Sequence, residues 1–492
     1  MVDESLDLVS KLTADEKAIE RFRLQCICPI DGKYGKDVDP IRKYLSADAE
    51  WKMCALVQRQ LLAARVKFGQ ASEKNLAEVD AALPKLDTLN IALLEKDSKI
   101  QHDQLALLEE FGRHVSRETK ALLHPGTTSY DILDTARSYA FKTAWKECLR
   151  PKVGESIDIL CNIADKSVNL LQVGRTHLQN TSPLSFGTNI SKFAYRLAER
   201  VEKCDYAFND LRGTITGIVG TGASIEMVIG KGKSKAFELE VLNSLGLEPD
   251  PAASQVVQKE RLADVGNGIV TLMNVLGDFA NDVRMMYSSA IQEVTSLKDA
   301  ARLGGSSADA GKNNPIQYEN IGGSTIVALT GMGVLYALIQ SDFQRDLESS
   351  VEARYQPGIM MAQAYESFSK VVKALDQFCI IEDNLARNLE PVRKSPSEAM
   401  TAILRGEPGW IHSKYGMGHD FVKKMTQTSK LSKRPLIDVC LEDPEFVEVY
   451  NTLPSFKKDI LNGKFEEYLG PFLQDCEYNV NYARSVVANK PR

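Results

Sequence analysis

Two apolar stripes at helical spacing constrain this chain more than any other feature. In the first, Phe186, Ile190, Phe193, Leu197, Val201, Cys204, Phe208 and Leu211 recur every three or four residues. In the second, Leu262, Val265, Ile269, Leu272, Leu276, Phe279, Val283 and Met286 keep the same rhythm, with Asp264, Asn267, Asp278 and Asp282 off the stripe. Side chains three and four apart share one face of a helix, and faces this long belong to a bundle or a coiled-coil seam. Thr181-Ser182-Pro183 reads as the start of the first helix, a hydroxyl cap followed by proline in the first turn. A third segment, 324–341, carries no charge and has about the length of a membrane span. Its Thr325, Thr330, Gly331, Gly333, Tyr336 and Gln340 make it poorly apolar for lipid, so it reads as a helix buried on all sides of a bundle. Long helices with more than one apolar face need partners, and a homo-oligomer supplies them.

Strand signals are sparse, with no βαβ alternation and no G-x-G-x-x-G, which argues against a dinucleotide-binding domain. At 492 residues the chain exceeds what one core organises. The breaker cluster Leu123-His124-Pro125-Gly126 and the run of Pro391, Pro396, Pro408, Pro435, Pro444 and Pro454 mark the boundaries. The expectation is an all-α protein of three helical domains: 1–125, a long central bundle at 126–375, and shorter helices at 376–492.

A formal net charge of -6 argues against nucleic acid as a partner. Nine scattered cysteines without a C-x-x-C pair fit a reduced, cytoplasmic protein. The six histidines include no H-E-x-x-H, so neither a metal nor another cofactor is expected. The acidic start Met1-Val2-Asp3-Glu4-Ser5 lacks an apolar signal region, and no membrane association is expected.

Four polar segments interrupt the helical pattern: Gln101-His102-Asp103, Gly126 to Asp131, Gly174 to Gln179, and Gly304 to Pro315. Each has a plain structural reading. Thr128-Ser129 can cap a helix starting near Asp131, His102 can be a surface histidine, and His177 a hydrogen-bonded core residue. The glycine-serine stretch can be a linker. It departs from a linker in ending Lys312-Asn313-Asn314-Pro315 directly before a helix, an arrangement suited to a mobile anion clamp.

Together the four resemble the fumarase/aspartase superfamily, and within it the adenylosuccinate-cleaving branch. The signature loop G-S-S-x-M-P-x-K-x-N-P is similar to Gly305-Ser306-Ser307-Ala308-Asp309-Ala310-Gly311-Lys312-Asn313-Asn314-Pro315, with Asp309-Ala310 replacing Met-Pro. T-S-x-D matches Thr128 to Asp131, and R-T-H-x-Q matches Arg175 to Gln179. Pro29-Ile30-Asp31-Gly32-Lys33-Tyr34-Gly35 looks like the branch's opening motif, with Lys33 for arginine. Arg345 to Arg354 looks like its R-D-[IL]-S-x-S-x-x-x-R, with Glu348 for serine. The resemblance runs from about residue 26 to 375.

The resemblance implies a homotetramer and a β-elimination that splits a C–N bond and releases fumarate from a succinyl-nucleotide. It implies Ser306 as base on a closing loop, His177 as the acid for the leaving nitrogen, His102 assisting, and Glu319 orienting a histidine. Lys312, Asn314, Thr128 and Ser129 would hold the succinyl carboxylates. Lys33, Tyr34, Arg345, Ser350 and Arg354 would meet the nucleotide phosphate or its surroundings. Gln255, Asp103, Ser307 and Asn320 complete the implied substrate contacts. Sites of this family draw on three subunits. The alternatives are another lyase or a carboxymuconate cycloisomerase-like enzyme of the same fold, and a catalytically silent homologue that binds without turnover.

Overall fold

A computed structural model describes residues 12–297, 313–348, 353–411 and 418–489. The N-terminal part is a succession of short and medium helices: α1 (Ala14–Gln25), α2 (Asp39–Leu45), α3 (Ala47–Lys67), α4 (Glu73–Ala82), α5 (Thr88–Lys96), α6 (Asp103–Gly112) and α7 (Arg117–Leu122). The long elements follow: α8 (Ser129–Ala144), joined through one π turn to α9 (Arg150–Ser167), then α10 (Phe186–Asn209). Two short helices, α11 (Ala223–Ile229) and α12 (Ser234–Asn243), precede α13 (Glu260–Tyr287), α14 (Ile316–Ala337) and α15 (Gln356–Leu375). After these come α16 (Glu382–Lys394), α17 (Ser397–Arg405), α18 (Pro408–Ile411), α19 (His419–Ser432), α20 (Leu436–Cys440), α21 (Pro444–Thr452), α22 (Ser455–Leu461) and α23 (Phe472–Ala488). The chain is all-α apart from three two-stranded sheets among the described residues. These pair β1 (Leu171–Thr176) with β2 (Gln179–Ser185), β3 (Arg212–Gly213) with β4 (Glu248–Pro249), and β5 (Val294–Ser296) with β6 (Phe378–Ile380).

Both apolar stripes bury in full, the first on α10 and at Leu211 just past its end, the second on α13, and they meet α9, α14, α15 and α23 in the largest hydrophobic cluster. Trp145 stacks flat on Phe208 there, ring centroids 4.9 Å apart, and its Nε1 donates to Asp205 at 2.8 Å. That bond satisfies the one polar atom of a large buried ring. A second cluster joins α3 to α6 with Tyr130, Ile132, Phe237 and Val241, and a third holds Trp410, Phe421, Phe446 and Phe465. The last helix, α23, packs on the long bundle through Cys476, Val480, Ala483 and Val486 rather than on the third cluster.

Two local expectations are corrected. Thr181-Ser182-Pro183 does not begin α10: it lies in β2, where Pro183 pairs with Val173, and the helix starts at Phe186. The cap is Ser185, whose Oγ accepts from the Thr188 N–H at 3.1 Å. Proline is tolerated at 183 because a two-stranded ribbon is all edge. The uncharged segment is helical but not buried on all sides. Helix α14 buries Tyr318, Ile321, Ala328, Met332 and Leu335 and leaves Ile326, Val327, Leu329 and Tyr336 in the open. By length and composition α14 is also the one described helix that is able to cross a membrane. All nine cysteines are free thiols.

Candidate active site

The three polar segments that lie wholly among the described residues sit where helices begin or where short strands turn, since those are the places where backbone groups lack partners. His102 is the N-cap of α6, in extended conformation, and its Nδ1 accepts from the Leu105 N–H at 3.4 Å. Its Nε2 faces the Ser129 Oγ at 3.2 Å. Asp103 brings Oδ1 to 3.3 Å from the same Nδ1, and its other oxygen lies 3.7 Å from the Arg354 guanidinium. Nδ1 cannot accept from Leu105 and donate to Asp103 at once, so the proton on His102 decides which neighbour it serves.

Thr128 and Ser129 open α8 through a capping box in which Asp131 accepts from the Thr128 N–H at 2.7 Å. Asp131 is wholly buried and also takes the N–H groups of Thr216 at 2.9 Å and Gly217 at 3.1 Å. Burial pushes its carboxyl up to about 7 against those donors. The capping reading and the site reading of Thr128-Ser129 thus coexist, because the cap fixes where both hydroxyls stand. Beside them His124, at φ +73°, receives the Gln58 amide on Nδ1 at 3.1 Å. Burial holds its imidazole down to about 4, with repulsion from His102 adding to the effect.

The Arg345 guanidinium lies over Tyr130, 3.9 Å from the ring centre, and donates to the Gln255 Oε1 at 2.9 Å. Gln255 in turn donates to the Ile218 carbonyl at 2.8 Å. The Arg345 Nε is buried and has no partner among the described residues. A buried network that sequence reading missed fixes this corner: Lys259 pairs with Asp134 at 2.8 Å, and Asp134 accepts from the Val257 N–H at 3.1 Å.

Tyr34 donates to the Asn320 Oδ1 at 3.2 Å, joining the opening motif to α14. Lys370 of α15, also missed, stands 3.9 Å over the Tyr34 ring and pairs with the buried Glu366. Lys33 lies 5.7 Å from that ring. Glu319 is exposed, and among the described residues it pairs with Arg284 at 4.0 Å. Asn314 gives its carbonyl to the Ile316 N–H at 2.8 Å, at the foot of α14.

His177 is not a core residue. It occupies the two-residue turn between β1 and β2 with Leu178, at φ +53° and +60°. Both angles positive is the type I′ geometry that suits a hairpin and that non-glycine residues adopt at a cost. The turn projects outward: His177 and Leu178 are exposed, and His177 has no hydrogen-bond partner among the described residues. Its hairpin is anchored at Arg175, which forms a bidentate pair with the buried Glu293 at 2.6 and 3.1 Å.

Ser306, Ser307, Lys312, Asp309 and Ser350 lie outside the described residues. The structure therefore joins His102, Asp103, Ser129 and Arg354 in one cluster, Arg345 with Gln255 in a second, and Tyr34 with Asn320 in a third. His177 stands apart on its own turn. Among the described residues no group of three His, Cys, Asp or Glu side chains forms a metal site. An imidazole facing a hydroxyl, cations on three segments and an exposed histidine suit proton transfer on an anionic substrate.

Comparison with known proteins assigns the family. A family model described as Lyase matches residues 39–329, more than half of the chain. The chain is 26% identical over 472 residues to the adenylosuccinate lyase of Pyrococcus abyssi (strain GE5 / Orsay), across 93% of this chain and 98% of the relative. It is 30% identical over 308 residues to the adenylosuccinate lyase of Bacillus subtilis (strain 168), across 62% and 68%. Among solved structures it is similar to the 3-carboxy-cis,cis-muconate lactonizing enzyme from Pseudomonas putida, with TM-score 0.77, 18% identity and coverage of 91% and 98%. It is also similar to a fumarate lyase from Mesorhizobium sp. BNC1, with TM-score 0.75, 20% identity and coverage of 90% and 97%. The two structures share its fold, and with the family model and the sequence relatives in agreement, the chain belongs to the lyase family.

Proposed function

We propose that the chain is an adenylosuccinate lyase, releasing fumarate from adenylosuccinate to give AMP and from the succinyl-aminoimidazole-carboxamide ribotide in the same way. The observation that carries this reading is the match to adenylosuccinate lyases over nearly the whole chain. The pairing of His102 with Ser129, of Arg345 with Gln255 and of Tyr34 with Asn320 is consistent with it.

In this reading Ser306 takes the proton from the carbon next to a substrate carboxylate. The electrons spread into that carboxylate as an aci-dianion, the C–N bond breaks, and His177 protonates the departing nitrogen. Ser306 needs an environment that stabilises its alkoxide, which a closed, water-free loop supplies. His102 binds or protonates near the succinyl group, which Lys312, Asn314, Thr128, Ser129 and Ser307 hold, with Asp103 and Glu319 setting nearby charge. Arg345, with its unpartnered Nε, serves the phosphate together with Arg354, Ser350, Lys33 and Tyr34, while Gln255 and Asn320 position those groups. The enzyme works in the cytoplasm as a homotetramer, the open face of α14 meeting other copies.

The test is to incubate purified protein with adenylosuccinate and follow fumarate and AMP. Stoichiometric release of both supports the reading. An intact oligomer without turnover removes it, and turnover of a different succinyl compound assigns another substrate. Ser306→Ala should lower kcat by orders of magnitude with assembly intact; near-normal kcat would sink the base assignment.

A further inference from the structure

Glu293 is fully buried, and nothing in the proposed chemistry uses it. Four side-chain donors converge on its carboxylate. Arg175 contributes two bonds, Nη2 to Oε1 at 2.6 Å and Nη1 to Oε2 at 3.1 Å. Gln172 Nε2 reaches Oε2 at 2.7 Å, and Asn388 Nδ2 reaches Oε1 at 2.9 Å. The backbone of Glu293 is held as well: its N–H donates to the Met286 carbonyl and its carbonyl accepts from the Ile381 N–H, both at 2.9 Å. One residue, just before β5, thus ties together the end of α13, the strand β1 and helix α16 with its N-cap.

Its neighbours explain what the tie accomplishes. Arg175 lies two residues before His177, on the strand that feeds the turn. Two consecutive non-glycine residues at positive φ hold that turn in a conformation each disfavours by about 1–2 kcal/mol. Such a conformation persists only where the surroundings over-determine it. At the tip His177 is exposed and has no hydrogen-bond partner among the described residues. The restraint comes from the base of the hairpin. On the other side, Glu293 immediately precedes β5, which pairs with β6.

We infer that Glu293 is a positioning residue for the His177 turn, referencing the acid-bearing hairpin to a single buried carboxylate. This inference rests on the reading of His177 as the acid of the proposed elimination. A misplacement of about 1 Å at a reacting group costs on the order of 10²-fold in rate, so a loosened hairpin acts on kcat more than on substrate affinity.

The test is a kinetic cycle with adenylosuccinate on the whole enzyme, using Glu293→Gln, His177→Gln and the double variant. Glutamine keeps the size but turns an amide donor towards donors that now point at oxygen. The expected result is a kcat lower by about 10- to 100-fold in Glu293→Gln, with KM changed less than about threefold. The double variant should be no slower than His177→Gln alone, because a residue that acts only through His177 has nothing left to act on. A merely structural role would multiply the two losses, and that outcome overturns the inference, as does normal kcat in Glu293→Gln. If His177→Gln retains near-normal kcat, the acid assignment itself fails, and this inference falls with it. Arg175→Lys keeps the charge but gives up the two-pronged contact. Should Glu293→Gln fail to assemble, the same cycle is run with Arg175→Lys, which should show an intermediate kcat loss and the same absence of multiplication.

Discussion

His124 shows how one side chain carries a pH dependence. Its Nδ1 is occupied as an acceptor by Gln58, and Arg65 and His102 both oppose a positive charge there while Asp103 favours one. With the folded value near 4 and the ordinary value at 6.5, the unfolded chain takes up the proton first as pH falls. Its contribution to stability is therefore complete above about 6.5 and is lost as pH drops through 4. Asp131, raised to about 7, works in the opposite sense over the same range, so only a comparison with a variant isolates His124. His124→Asn should remove up to about 3 kcal/mol of acid-side loss in unfolding experiments between pH 6.5 and 4; an unchanged slope would reject this account. Arg345 supplies a second prediction. Arg345→Gln should raise KM for adenylosuccinate by about 10- to 100-fold with a smaller effect on kcat, because a charge-assisted contact is worth about 1.5–3 kcal/mol. A kcat loss with unchanged KM would place Arg345 in the chemistry instead. In the sequence His124 stood only as part of a breaker cluster, and Glu293 did not stand out at all. Their standing comes from burial and from partners far along the chain, Gln58 for one and Arg175 and Asn388 for the other, and no local motif reports such contacts.

The elements were legible to the extent that periodicity determined them. Both apolar stripes became helices whose stripe residues are all buried, since a long amphipathic face has one stable use in water. The β1–β2 hairpin was not legible. Its strands are short, its turn is His177-Leu178 rather than Asn-Gly, and Thr181-Ser182-Pro183 imitates a helix start. Its geometry follows from tertiary anchoring at Glu293. At the junction of α9 and α10 a single residue decides how close two helices come. A Cβ on Gly187 would meet the Val168 amide nitrogen at 2.5 Å and the Ala164 carbonyl oxygen closer still. Both obstacles are backbone, so neither can rotate away. Gly187→Ala should cost about 1–3 kcal/mol by chemical denaturation, and because α10 follows directly from β2 it should also lower kcat. A variant as stable as the parent would show that the helices separate freely.

A single copy of the chain leaves two things unfinished. The open face of α14, with Ile326 66% and Leu329 54% exposed, is a contiguous apolar surface on an otherwise well-buried bundle. His177 sits on an exposed turn, while the His102–Ser129 pair sits at the starts of α6 and α8. Both follow if copies pack through α14 and each site borrows a hairpin tip from a neighbour. Leu329→Asp should then break the oligomer in light scattering and abolish turnover while leaving helical content unchanged; an intact, active oligomer would move the interface elsewhere. A mixing experiment tests the sharing itself. His102→Gln and His177→Gln should each be nearly inactive alone. Dissociated, combined in equal amounts and reassembled, they should regain about a quarter of wild-type activity, because random assembly gives that share of sites both native residues when the two come from different subunits. If both histidines of a site belonged to one subunit, every site would carry one lesion or the other and mixing would restore nothing.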